Sequence, residues 1–241
     1  MAVKQTVRSE VGGGVRRIVL DRPERRNAID GVTARALHAA VREAATDADT
    51  RVVVLAGAGP SFCAGWDVDA IDELRSAPRA MVRAELDASR RLLDDLAGLP
   101  QPTVAAVHGA VIGFGIGLVA ACDLAIAGAE TVVALPEVAH GIVPGMVLVD
   151  LLETVGPRTA ADWLLTARRV SAAEAAAAGL FGSVVAEAAL DEAVDAAARL
   201  LAAHDPAAAA GTKRLLRRVA ALDREAAVDE AVEAAVAALL S

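Results

Sequence analysis

The stretch from Thr103 to Cys122 constrains this chain more than any other. It contains no Asp, Glu, Lys or Arg, and Gly109, Gly113 and Gly117 recur at every fourth position. A run of this length with small residues on one stripe could pack as a membrane-spanning helix. Its borders oppose that reading, because Pro100 and Pro102 precede it and Asp123 follows at once. The same residues read better as a buried strand (Val104 to Val107), a turn at His108 and Gly109, and a buried helix from Gly113 to Ala121. Such a segment must be covered on all sides, so the rest of the chain has to wrap it.

The neighbouring sequence supplies that cover. Val15 to Leu20 is a β-rich run that ends at Asp21-Arg22-Pro23, and Gly31 to Ala48 has apolar residues at helical spacing. Arg51 to Gly57 holds Val-Val-Val-Leu, the continuous run expected of a strand buried on both faces. Arg79 to Ala97 reads as a helix, Leu124 to Ala127 and Thr131 to Leu135 as strands, and the chain after Pro144 as nearly all helical. Pro157, Ser171 and Asp205-Pro206 are expected helix starts. The pattern predicts an α/β core followed by a C-terminal helical region. Aromatics make up only 2% and tyrosine is absent, so the core has to be built from Ala, Val, Leu and Ile.

Charge excludes some function classes. The formal net charge is -8, which disfavours a nucleic-acid partner, since that affinity comes mainly from Lys and Arg at phosphates. Two cysteines, Cys63 and Cys122, are too few for a disulfide scaffold, and no Cys/His spacing suggests a metal site. Met1 to Glu10 is polar, without the apolar run of a signal peptide, so the expected compartment is the cytoplasm with no membrane partner.

Four segments could carry chemistry: Arg22 to Ala28, Ser61 to Asp67, His108 to Gly117, and Leu135-Pro136-Glu137 leading to Gly145. In the second and third, a buried strand ends in small residues just before a helix. The first amides of a helix lack internal partners, so two such starts could aim two N–H groups at one oxygen and stabilise charge that develops there. Plain structural turns fit the same spacing. A dinucleotide fingerprint is a rival for Gly115-x-Gly117-x-x-Ala120 with Glu137 beyond it, although Asp123 and the Leu124 strand leave little room for a crossover helix.

Taken together and in order, these segments resemble the crotonase superfamily, the enoyl-CoA hydratase/isomerase family. The resemblance rests on Arg22-Pro23-Glu24-x-x-Asn27-Ala28, Phe62-Cys63-Ala64-Gly65-x-Asp67, Gly109 to Gly117 with Ala121-Cys122-Asp123, and Pro136-Glu137 with Gly141-x-x-Pro144-Gly145. Ser171-Ala172-x-Glu174-Ala175 with Gly179-Leu180 also matches. It implies a crotonase-like (ClpP/crotonase) α/β spiral of ββα units. Residues 1–185 would form the catalytic core, and 186–241 a helical region for packing and oligomerisation. The implied assembly is a homotrimer or a dimer of trimers. The implied substrate is an acyl-CoA, coenzyme A being part of the substrate and no other cofactor or metal being needed.

By the same resemblance, the amides of Ala64 and Phe114 would hold the thioester oxygen as an enolate. Arg26, Asn27, Ala28, Gly65, Trp66, Asp67 and Gly113 would line the substrate channel, and Lys213 would approach the CoA phosphates. Family hydratases use two glutamates. The second aligns with Glu137, but the first aligns with Gly117, which has no side chain. Each positioned acid or base contributes about 10²–10⁴-fold, so the resemblance favours a double-bond isomerase with Glu137 as its single acid/base. An atypical hydratase and a non-catalytic acyl-CoA binder are the alternatives. Apolar neighbours of Glu137 should raise its pKa. His140 is a further candidate proton carrier, although a structural role suits it better.

Overall fold

A computed structural model describes residues 5–240. The expectation about the polar start of the chain therefore falls partly outside the described residues. A six-stranded sheet runs in the order β1 (Val7–Gly12), β2 (Val15–Leu20), β3 (Val52–Gly57), β4 (Thr103–Val107), β6 (Leu124–Gly128) and β9 (Ser183–Val185). The β1–β2 pair is an antiparallel hairpin and all later pairs are parallel. A smaller sheet joins β5 (Ala110–Ile112), β7 (Val132–Ala134) and β8 (Arg169–Ser171), with β5 parallel to β7.

The apolar runs of β3 and β4 behave as their composition requires. Val53 and Leu55, with Ala105 and Val107, face one apolar layer that also takes Leu37 and Val41 of α1 (Gly31–Thr46) and Leu92, Leu93 and Leu96 of α3 (Arg79–Ala97). The alternate residues Val52, Val54, Val104 and Ala106 face a second layer, closed by Leu190, Val194, Ala198 and Ala202 of α7 (Leu190–Ala202). Burying a Val or Leu side chain contributes about 1.5–3 kcal/mol, so α7 is held by its own apolar stripe.

Helix starts follow the expected chemistry. Asp30 accepts from Thr33 N at 2.7 Å at the start of α1, and Ser171 caps α6 (Ala172–Ala177). Asp205 accepts from Ala208 N at 2.8 Å at the start of α8 (Pro206–Val219). Within α5 (Leu148–Thr166) the helix breaks at Gly156, φ 76°, and resumes at Pro157. Two features go beyond the expected pattern. The region after Pro144 is not all helical, because Arg169–Ser171 and Ser183–Val185 add edge strands to the two sheets. A further helix, α2 (Val68–Ser76), follows Asp67, whose carboxylate accepts from Asp69 N at 3.2 Å.

The Thr103–Cys122 segment is β4, β5 and the short helix α4 (Phe114–Ala120), whose residues Phe114 to Val119 are all buried. Among the described residues no helix is long and apolar enough to cross a membrane. The last helix, α9 (Arg224–Leu240), buries no residue and exposes Val228, Val232, Val236 and Leu239.

Candidate active site

Three segments reach the same place because they run parallel. Phe62 N donates to His108 O, Cys63 N to Ala110 O and Ile112 N to Cys63 O, so the 61–65 segment lies along β5. The β5 strand in turn pairs with β7, Ile112 opposite Ala134, and Gly113 N donates to Ala134 O at 3.0 Å. Parallel neighbours end at the same edge. The turns at Gly65-Trp66, Gly113-Phe114 and Pro136-Glu137 are therefore brought together.

They line a cavity of about 480 Å³, together with Ala64, Val68, Ile71, Leu74, Val82, Leu86, Ile142 and Val147. Among the described residues, the acidic side chains in its wall are Asp72 and Glu137, and Asp72 pairs with Arg75 at 3.0 Å. A second depression of about 670 Å³, beside Arg42, Glu43, Asp94 and Asp95, contains none of the motif residues.

Close backbone approach explains two glycines. Gly65, φ 84°, sits where a Cβ would lie 2.8 Å from Ile112 O and 3.6 Å from Phe114 N. Gly113, φ 49°, is packed against the carboxyl group of Glu137, and a Cβ there would lie 2.6 Å from Oε1. Any side chain would also be strained at these φ values.

The amides differ from the expectation at one position. Ala64 N donates to Arg26 O at 3.0 Å, so this N–H is already committed. Gly65 N faces Cys63 Sγ at 3.4 Å. Ile29 N donates to Gly65 O and Asp67 N to Ile29 O, both at 2.7 Å. In such a parallel bridge the intervening residue, Trp66, turns its own N–H to the opposite side. Among the described residues, neither Trp66 N–H nor Phe114 N–H has a protein acceptor. The rings of the same two residues also meet, with centroids 5.9 Å apart.

Glu137 is half-buried, and its Oε2 has no hydrogen-bond partner. Burial pushes its pKa above the ordinary carboxyl value, opposed in part by a backbone hydrogen bond and by His140. Trp66 Nε1 is likewise buried without a partner. Leaving such groups unpaired costs about 1–3 kcal/mol each, and these two atoms belong to residues of the cavity wall. His140 lines the cavity but is held in its turn: Nδ1 lies 2.8 Å from Pro136 O, and its backbone O accepts from Arg75 Nη2 at 3.2 Å.

Several expected channel residues do other work. Asn27, 1% exposed, donates to Ala58 O and Ser61 O and accepts from Arg22 N, so it ties the first loop to the second. Ala28 is buried as well. Asp67 is buried and receives Arg25 and Arg22. The Arg25 hydrogen bond leads in holding its pKa below the usual carboxylate range. Neither Asn27, Ala28 nor Asp67 lines the cavity. Lys213 is also buried, and its Nζ pairs with Asp123 at 2.7 Å and donates to Gln101 O at 3.1 Å. It anchors α8 instead of presenting a free charge. Arg26 remains exposed at the left-handed end of the first loop. Cys63 is fully buried, its thiol pushed up to about 12 by burial, as expected of packing.

The model of the enoyl-CoA hydratase/isomerase family matches residues 10–237. The chain belongs to this family. A relative from Thermus thermophilus, provisionally named an enoyl-CoA hydratase, is 35% identical over 85% of this chain and 81% of its own length. The carnitinyl-CoA dehydratase of Proteus mirabilis is 34% identical over 92% of this chain and 84% of its own. The crystal structure of an enoyl-CoA hydratase from Mycobacterium smegmatis superposes with a TM-score of 0.93 at 32% identity, covering 98% of this chain and 91% of that one. The fold is therefore the crotonase fold, mixed α/β with a C-terminal helical region, and the protein is an enzyme of that family.

Proposed function

We infer that the protein moves the double bond of an enoyl-CoA thioester, with Glu137 as its single acid/base. The carrying observation is that, among the described residues, Glu137 is the one acidic residue of the cavity wall not paired with a basic side chain. The thioester oxygen would accept hydrogen bonds from the Trp66 and Phe114 amides. As the proton leaves C2, negative charge develops on that oxygen, and fixed donors in a dry site stabilise it; each is worth about 2.7–4 kcal/mol. Glu137 then returns the proton at C4. Its raised pKa suits a group that must both take and give a proton near neutrality.

The position of Gly117 supports this reading. A Cβ there would meet Val147 Cγ1 at 3.0 Å and Leu93 Cδ1 at 3.1 Å, so apolar side chains occupy the place where a second carboxylate would start. A hydratase is the second reading, favoured by the names of the relatives above. Parallel assays separate the two: 3-enoyl-CoA isomerisation should exceed 2-enoyl-CoA hydration, and dominant hydration would reject the preference. Assembly through the exposed valines of α9 fits the expected trimer or dimer of trimers.

A further inference from the structure

Val147 lines the same cavity as Glu137 and is 2% exposed. It lies between the cavity and the bare backbone of Gly117, and Leu93, fully buried, fills the rest of that space. Its position is fixed from α3, the same helix that carries Leu93. Arg90 binds both carboxylate oxygens of Asp150, at 2.5 and 3.0 Å, and reaches Met146 O at 3.5 Å. Bidentate pairing of this kind fixes direction as well as distance. The segment entering α5 is thereby clamped on both sides of Val147, whose own carbonyl accepts from Leu151 N at 3.0 Å.

We propose that Val147, clamped by the Arg90–Asp150 pair and backed by Leu93, is the residue that keeps water from the reacting carbons and commits the substrate to reprotonation by Glu137. This rests on the isomerase reading. In that reaction the Glu137 carboxylate takes the C2 proton and the C–H electron pair flows toward the thioester oxygen. The double bond then settles between C2 and C3 as the same proton goes to C4. The carboxylate is restored and no water is consumed. A proton held on Glu137 exchanges with solvent only if water reaches it, so the apolar wall sets how much of the original proton survives the transfer. Val147 touches the substrate space, while Arg90 and Asp150 are positioning residues that act through it.

The test is isomerisation of a 3-enoyl-CoA in D₂O, with deuterium at C4 of the product read by mass spectrometry or NMR. The wild type should retain protium at C4 in most turnovers. Val147→Ala, and Val147→Thr as a variant of nearly equal size carrying a hydroxyl, should raise deuterium incorporation several-fold. Arg90→Gln should shift it in the same direction by less. Equal protium retention in the wild type and in folded Val147 variants would overturn this proposal alone, as would complete deuteration by the wild type. A wild type that isomerises nothing would overturn the functional reading and the proposal with it.

Discussion

Oε1 of Glu137 lies 2.6 Å from the point where a Cβ on Gly113 would sit. The carboxylate is seated against bare backbone at the start of α4, one residue before the Phe114 amide, so glycine at 113 and glutamate at 137 form one steric unit. Gly113→Ala should therefore displace the carboxylate and strain a backbone at φ 49°. The expected cost is about 1–3 kcal/mol in urea denaturation, with a fall in kcat larger than any change in KM. A variant with unchanged kcat would dissolve the link between the two residues.

Glu137→Gln keeps the shape and removes the base. Isomerisation should drop by about 10²–10⁴-fold. The pH profile carries a second signature. Catalysis needs the carboxylate, so kcat/KM should rise with pH along a limb displaced above the ordinary glutamate value of 4.5. Stability should move the other way: a raised folded-state pKa gives stabilisation that is present below 4.5 and lost as pH rises through the folded value. The difference in unfolding free energy between Glu137→Gln and the wild type should grow across that interval, as read by urea midpoints at several pH values.

The Phe114 donor is a main-chain group, and side-chain substitution cannot delete it. Replacing Phe114 by its α-hydroxy-acid counterpart through suppressor translation exchanges the amide for an ester and leaves the ring in the core. The predicted loss is about 10²–10³ in kcat. The same exchange at Ile116, whose N–H is spent on Gly113 O, should lower stability without a comparable kinetic effect.

Lys213 gives the opposite pattern. Burial lowers its pKa, opposed by Asp123, and the pair joins α8 to the end of β4 through Thr103. Lys213→Met should reduce stability by about 1–3 kcal/mol, because Asp123 loses a charged donor. KM for the CoA thioester should stay within about two-fold, since the ammonium is buried. A large KM increase at unchanged stability would return Lys213 to the phosphates.

Much of this arrangement is legible in the sequence where pattern and covalent geometry decide. The apolar runs of β3 and β4, the caps at Ser171 and Asp205, and the helix start at Pro157 follow directly from residue type. Glu137 stands out by its apolar flanks. The choice between Ala64 and Trp66 is not legible, because it turns on which N–H the Ile29 bridge leaves free, a contact between residues far apart in the chain. Lys213 and Asp67 read as substrate-contacting residues until their partners, Asp123 and Arg25, are brought to them by the fold. The wall at Val147 is hidden for the same reason: Leu93, Gly117 and Val147 meet only across α3, α4 and the start of α5.

A crystal structure of Glu137→Gln with an acyl-CoA thioester bound tests the account most directly. The carbonyl oxygen should lie about 2.7–3.1 Å from both the Trp66 and the Phe114 nitrogen, with C2 and C4 facing residue 137 and Val147 against them. A thioester oxygen bound elsewhere, or an ordered water between residue 137 and those carbons, would contradict it.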